Sequence, residues 1–222
     1  MSAYITVNTT AEALCFVVSL FCLYRDKEPA WRLFICFLLA TVLVEICGIY
    51  VRTELHRPNF MLYNVFLLVE GLVQSYFFYY LYKTYRDTRR LFTGWLIIFA
   101  CFYFTELIEK HFEAYVSASS TTMSIGLILA SVYFYYLLLK EEKARHLITY
   151  APFWWVNGTI CFYFAGIACN LFFTYLVQDR TPGIGHSARY IVFSILNIIL
   201  YLSWSYAFIC RYRQRILFSS SD

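Results

Sequence analysis

Long apolar runs separated by short polar connections organise the whole chain. Seven runs reach about the 20 mostly apolar residues that a bilayer span requires: 4–24, 31–51, 60–82, 91–109, 121–139, 152–176 and 190–210. The stretches between them are too short to hold a soluble domain, and the segment after the last run, Arg211 to Asp222, is brief. The pattern predicts an all-α, polytopic integral membrane protein: one seven-helix transmembrane domain spanning residues 1–222. The N-terminus lacks the basic region of a cleavable signal peptide, so the first run is read as a retained span.

Composition agrees with this picture. The chain is 61% hydrophobic with a mean hydropathy of +0.58. Only 14% of its residues are charged, against about 25% in soluble proteins. One soluble core of this size could not cover that much apolar surface. Phe and Tyr are abundant, at 22 and 21 copies, as suits a lipid-facing surface and its interfaces. The eight cysteines form no CxxC pair and fall mostly inside the apolar runs, where they read as small buried hydrophobes rather than a disulfide framework.

The net charge of +4 does not indicate nucleic acid, because the basic residues sit in the short connections, where membrane topology accounts for them. With the N-terminus outside, thirteen Lys and Arg fall on the inner side and five on the outer. The positive-inside rule therefore predicts an outside N-terminus and a cytoplasmic C-terminus. Trp31, Trp95, Trp154 and Trp155 begin inner helix ends, where an aromatic belt would place them.

Ionisable residues within spans are the strongest pointers to function, since each costs about 2.5–3.5 kcal/mol to insert. Glu12, Glu45, Glu70 and Glu106 qualify, and no span contains a lysine to offset them. Counting about 1.5 Å per residue puts Glu70 near mid-membrane, Glu12 and Glu45 in the outer half and Glu106 near the outer surface. Amides and a phenol accompany them: Asn64 and Gln74 in the third run, Asn170 in the sixth, Asn197 and Tyr201 in the seventh. These residues predict one polar cavity among the first, second, third, sixth and seventh helices, open outward. It would bind a small cationic or polar ligand, or couple to an ion. The competing expectation is that such groups bond helix to helix as structural glue. His56, His111 and His186 fall in outer connections without metal-ligand spacing and are read as solvated. Arg86, Arg89 and Arg90 lead a basic inner face that would meet anionic headgroups or dock a cytoplasmic or membrane protein partner.

No HExxH, Walker A sequence or intramembrane nucleophile–histidine pair is present, so the sequence points away from an enzyme and calls for no cofactor. A buried lysine for a retinal Schiff base is lacking as well. In topology alone the chain resembles the sugar-transporting and PQ-loop families. None of its prolines, Pro29, Pro58, Pro152 and Pro182, precedes a glutamine, so that signature is missing. The expectation is a membrane-embedded sensor or regulatory subunit in a bacterial plasma membrane, signalling through a separate protein. The alternative is a small transporter or channel for a cation, a proton-coupled solute or a small polar one.

Overall fold

The structure, a computed structural model, describes residues 6–141, 146–171 and 188–219. Among these the chain forms seven long α-helices, one 3₁₀ turn at Leu147–Thr149 and no strand. The helices are α1 (Val7–Leu23), α2 (Pro29–Thr53), α3 (Phe60–Lys83), α4 (Arg89–Glu109), α5 (Ser117–Lys140), α6 (Ala151–Leu171) and α7 (Ala188–Ser219). Five of them, α2, α3, α4, α5 and α7, are long and apolar enough to cross a membrane, and α1 is apolar over 17 residues. Their flanks present exposed Leu14, Phe21, Ile97, Leu129, Phe164 and Leu202. That is the surface of a helical bundle solvated by lipid rather than water.

Local chemistry sets the helix ends. Thr6 begins α1 by accepting a 3.1 Å hydrogen bond from the Thr9 amide, the usual N-cap geometry. Pro29 opens α2, where its missing N–H costs nothing. The α5 N-terminus borrows its cap from another helix. Glu106 of α4 accepts from the backbone amides of Ala118 and Ser119 at 3.0 and 2.6 Å and from the Ser119 hydroxyl at 2.6 Å. Lys110 donates to the same carboxylate at 2.7 Å.

The short connections among the first six helices make sequential helices antiparallel neighbours, and α7 packs on α6, so the bundle has two faces. The amino-end face holds the start of α1, and the carboxy-end face holds the end of α7. Helix α7 packs on α6 and α1, α1 on α2, α2 on α3, α3 on α5 and α5 on α6. These six helices close a ring, and α4 lies outside it against α3 and α5.

The half of the ring nearer the carboxy-end face is filled by aromatic side chains. Phe34 and Trp31 each meet Phe77 at 4.8 Å between ring centroids. Trp155 meets Phe77 at 4.5 Å and stacks on Trp204 at 5.7 Å. Phe208 closes the cluster against Phe34 at 5.8 Å. All six are buried, and edge-to-face pairs of this kind contribute about 0.5–1.5 kcal/mol each beyond area burial. Trp31 and Trp155 are therefore core residues, 1% and 0% exposed, and not members of an interfacial belt. The reason is steric: only large rings fill the centre of a six-helix ring. Trp95 also turns to protein, donating to Ser75 at 2.9 Å. Trp154 alone of the four keeps an edge position, with its indole bonded to the Ile148 carbonyl.

The cysteines divide. Cys15, Cys169 and Cys210 are buried, Cys22 is half-buried, and Cys36, Cys47, Cys101 and Cys161 are exposed on the apolar flanks. All are free thiols.

Helix α7 continues without a break to Ser219, so the basic segment after residue 210 extends the last helix. Arg211 reaches Asp26 in the α1–α2 connection through two hydrogen bonds, 2.8 and 3.1 Å, and Arg215 approaches the same carboxylate at 3.8 Å. Arg211 also lies over the Trp31 ring, 5.6 Å from its centroid. The Asp26 side chain is 1% exposed. Burial acts to raise its pKa, and the Arg211 hydrogen bonds, the Glu28 amide and the two guanidinium charges outweigh burial and hold it below the ordinary value.

Two outcomes follow for stability. Gly126→Ala would drive a methyl group into the Trp95 ring, so it is expected to cost about 1–3 kcal/mol, read as a lower Tm in detergent. Asp26→Asn is expected to cost about 2–3 kcal/mol near neutral pH by stranding Arg211. The sign with pH follows from the lowered carboxyl: the wild-type advantage is full above the unfolded aspartate pKa of about 3.9 and disappears as pH falls through the lower folded value. Thermal melts of both proteins between neutral and strongly acidic pH check this.

Candidate ligand cavity

Above the aromatic cluster the ring holds a cavity of about 860 Å³. It reaches the amino-end face at Asn59, Phe60, Tyr115 and Ser117 and descends to Glu70 and Tyr163. From Phe60 to Glu70 along α3 is about 15 Å, half the thickness of a hydrocarbon core.

Glu12 of α1, Glu45 of α2 and Glu70 of α3 all line it, and among the described residues no Lys, Arg or His does. Two of the carboxylates are held by tyrosines. The Tyr63 hydroxyl donates to Glu45 at 2.9 Å. Gly48 makes room for that ring, since a Cβ there would lie 2.6 Å from the hydroxyl. The Tyr163 hydroxyl donates to Glu70 at 2.5 Å, and Gln74, one turn below on α3, bonds to both at 2.5 and 3.4 Å. Glu12 differs. It is 6% exposed, it interacts with Tyr201, and its Oε2 has no hydrogen-bond partner. Tyr201 sits among all three acids, within electrostatic reach of Glu12, Glu70 and Glu45.

The residues singled out by sequence thus separate. Glu12, Glu45, Glu70 and Tyr201 share the cavity wall. Gln74 is fully buried behind its floor. Asn64 is committed elsewhere: it donates to the Ala114 carbonyl at 3.0 Å and accepts from the Val116 amide at 3.1 Å, pinning the α4–α5 connection. Asn197 is half-buried on α7, one turn from Tyr201, and does not line the cavity. Asn170 belongs to α6, and its side chain lies outside the described residues. Arg86, Arg89 and Arg90 are exposed together at the carboxy-end face. Among the described residues no group of three His, Cys, Asp or Glu is placed to hold a metal ion. His186 lies outside the described residues.

Sequence reasoning missed one wall. Ser117, Ser120, Thr121 and Ser124 of α5 face the cavity. Their spacing of three and four was a legible helical stripe. Thr121 and Ser124 each bond back to a carbonyl four residues earlier, at 2.9 and 2.8 Å. The sequence CFYF occurs at 101–104 in α4 and at 161–164 in α6, and the two copies share a geometry. Tyr103 and Tyr163 both point inward, bonding the Asn64 carbonyl and Glu70, while Cys101, Phe104, Cys161 and Phe164 face outward.

A second crevice, of about 440 Å³ and mostly apolar, lies between α3, α4 and α5 and includes Ser75 and Trp95. A third, of about 490 Å³, runs between α1 and α7 and includes Ser205. Comparison with protein families, with curated proteins and with solved structures finds no match.

Asn64→Ala should lower the stability of the purified protein by about 1–3 kcal/mol, because it leaves the buried Val116 amide unpaired and removes the bond to the Ala114 carbonyl. Thermal unfolding in detergent reads this. A loss below about 0.5 kcal/mol would contradict the pinning role.

Proposed function

We propose that the chain is a membrane-embedded sensor or regulatory subunit. It crosses a bacterial plasma membrane seven times, with the amino-end face outside and the carboxy-end face in the cytoplasm. The acidic cavity receives a small cationic or polar ligand from outside, and a separate protein reads the state at the basic inner face.

The observation that carries this reading is the cavity's one-sidedness. Its lining reaches the amino-end face, and the opposite half of the ring is packed with aromatic rings whose centroids lie 4.5–5.8 Å apart. A binding site needs one entrance, whereas a transport path needs two. Of the polar residues available for an inner half-path, Gln74, Ser75, Asn157 and Ser205, three diverge: Gln74 backs the cavity floor, Ser75 faces the α3–α5 crevice and Ser205 faces the α1–α7 groove, while Asn157 is half-buried on α6. Orientation rests on the basic residues, thirteen of eighteen on the carboxy-end side.

Transport is the second reading, favoured by the carboxylate at mid-membrane depth, Glu70, with its buried donors Tyr163 and Gln74. It requires the aromatic cluster to part in a second conformation.

Purification from the native membrane in mild detergent, with mass spectrometry of co-eluting species, separates the two. The sensor reading expects a stoichiometric partner with a cytoplasmic domain. Neutralising Arg86, Arg89 and Arg90 to Gln should release that partner without disturbing insertion, since all three are exposed. A protein that elutes alone and moves a solute into liposomes, with Glu70→Gln abolishing uptake, would establish transport instead.

A further inference from the structure

The cavity's lining specifies its ligand more narrowly than its acidity does. Glu45 and Glu70 each have a neutral phenol as donor, and among the described residues neither is paired with a cation. Glu12 is the exception on the wall. The residue lines the cavity and is 6% exposed, and its buried Oε2 has no hydrogen-bond partner among the described residues. A carboxylate oxygen left in this state is costly in an apolar surround, and a hydrogen-bonding cation removes the cost.

That cation is not a bare metal ion. Calcium needs six to eight oxygens at about 2.3–2.6 Å and zinc about four ligands. The three carboxylates come from three helices and form no such group among the described residues. A lone ion would also leave most of about 860 Å³ to water. The volume lies instead in the range of sites for drug-sized molecules. The rest of the wall is aromatic and apolar, with Phe60, Phe66, Phe162 and Tyr63 among its surfaces. Aromatic faces attract an alkylammonium group and pack against an apolar body.

We infer that the cavity binds a protonated organic amine with an apolar or aromatic body. The ammonium group donates to the free Oε2 of Glu12 beside Tyr201, and the body lies against the phenylalanines of α3 and α6. The inference rests on the reading of the cavity as an outward-facing ligand site and adds the ligand's class.

The test uses the full chain in lipid nanodiscs and calorimetric titration with phenethylamine. The comparisons are propylbenzene, which has a similar body without charge, and calcium chloride. Phenethylamine is expected to bind saturably at one site. Glu12→Gln should weaken it at least tenfold while the Tm stays within a few degrees of wild type. Glu45→Gln, on a second wall, should weaken it as well, which covers the case of a Glu12 variant that fails to fold. No saturable binding at about 10 mM, beyond the weak end of useful affinity, overturns the inference. So does equal binding of propylbenzene, or displacement of phenethylamine by equimolar calcium.

The two readings fail separately. Amine binding without any change in partner capture counts against the sensor and leaves the amine site standing. Partner capture that responds to Glu12→Gln, with no amine bound, counts against the amine and leaves the sensor standing.

Discussion

An ionisable group enclosed by helices and lipid has to find its partner inside the protein. That constraint orders this structure, because each enclosed carboxylate is satisfied to a different degree. Asp26 has two guanidinium groups and a backbone amide, and the contact joins the α1–α2 connection to the end of α7. Glu106 has an ammonium group, two amides and a hydroxyl, and it fastens α4 to the start of α5. Glu45 and Glu70 have phenols, which satisfy hydrogen bonding but leave charge unmatched. Glu12 retains an oxygen with no partner among the described residues. The fully paired acids lie at the bundle's ends and hold it closed. The underpaired ones line the cavity. The carboxylates that hold the bundle are thus told apart from those that line the cavity by their partners as well as by their depth, not by residue type.

Much of the fold was legible in the sequence because lipid imposes a length rule on helices. Runs 31–51 and 60–82 fall within α2 and α3, and 91–109 coincides with α4 to within two residues. The last helix ran longer than its apolar run. Nothing in Arg211–Ser219 stops a helix, since the segment has no Gly or Pro. Its extension meets Asp26, 185 residues from Arg211 in the chain, and the Thr149 carbonyl, tertiary contacts that periodicity cannot register. The same limit explains the tryptophans. Trp31 and Trp155 have the depth of belt residues, and only ring closure decides that they turn inward.

The candidate site was legible at the level of residue type and half legible at the level of geometry. Intramembrane Glu is rare enough that depth alone singled out Glu12, Glu45 and Glu70. Amides carry a weaker signal, because the same side chain serves a ligand or a neighbouring loop equally well. Asn64 went to the loop, with both ends of its amide used. Glu106 looked like a surface acid by depth and is instead a helix cap supplied across the bundle. The hydroxyl stripe of α5 was overlooked because Ser and Thr that bond back to their own helix resemble filler until a cavity opens beside them.

The arrangement along α7 ties the two faces together. Tyr201 lies in the cavity, Trp204 and Phe208 in the aromatic cluster, and Arg211 at the Asp26 pair. The spacing of three, four and three residues sets them on one stripe of a single helix, about 15 Å from first to last. Helix α2 repeats the scheme in the opposite direction, with Trp31 and Phe34 in the cluster and Thr41 and Glu45 in the cavity. Close-packed aromatic rings resist compression and transmit displacement. A ligand that draws Glu12 and Tyr201 toward itself therefore acts on α1 and α7 together. Those two helices converge at the carboxy-end face, where Asp26 follows α1 and Arg211 lies on α7. Under the proposed sensor reading, that ion pair is the element on which such a displacement would register, and it lies at the same face as the exposed Arg86, Arg89 and Arg90.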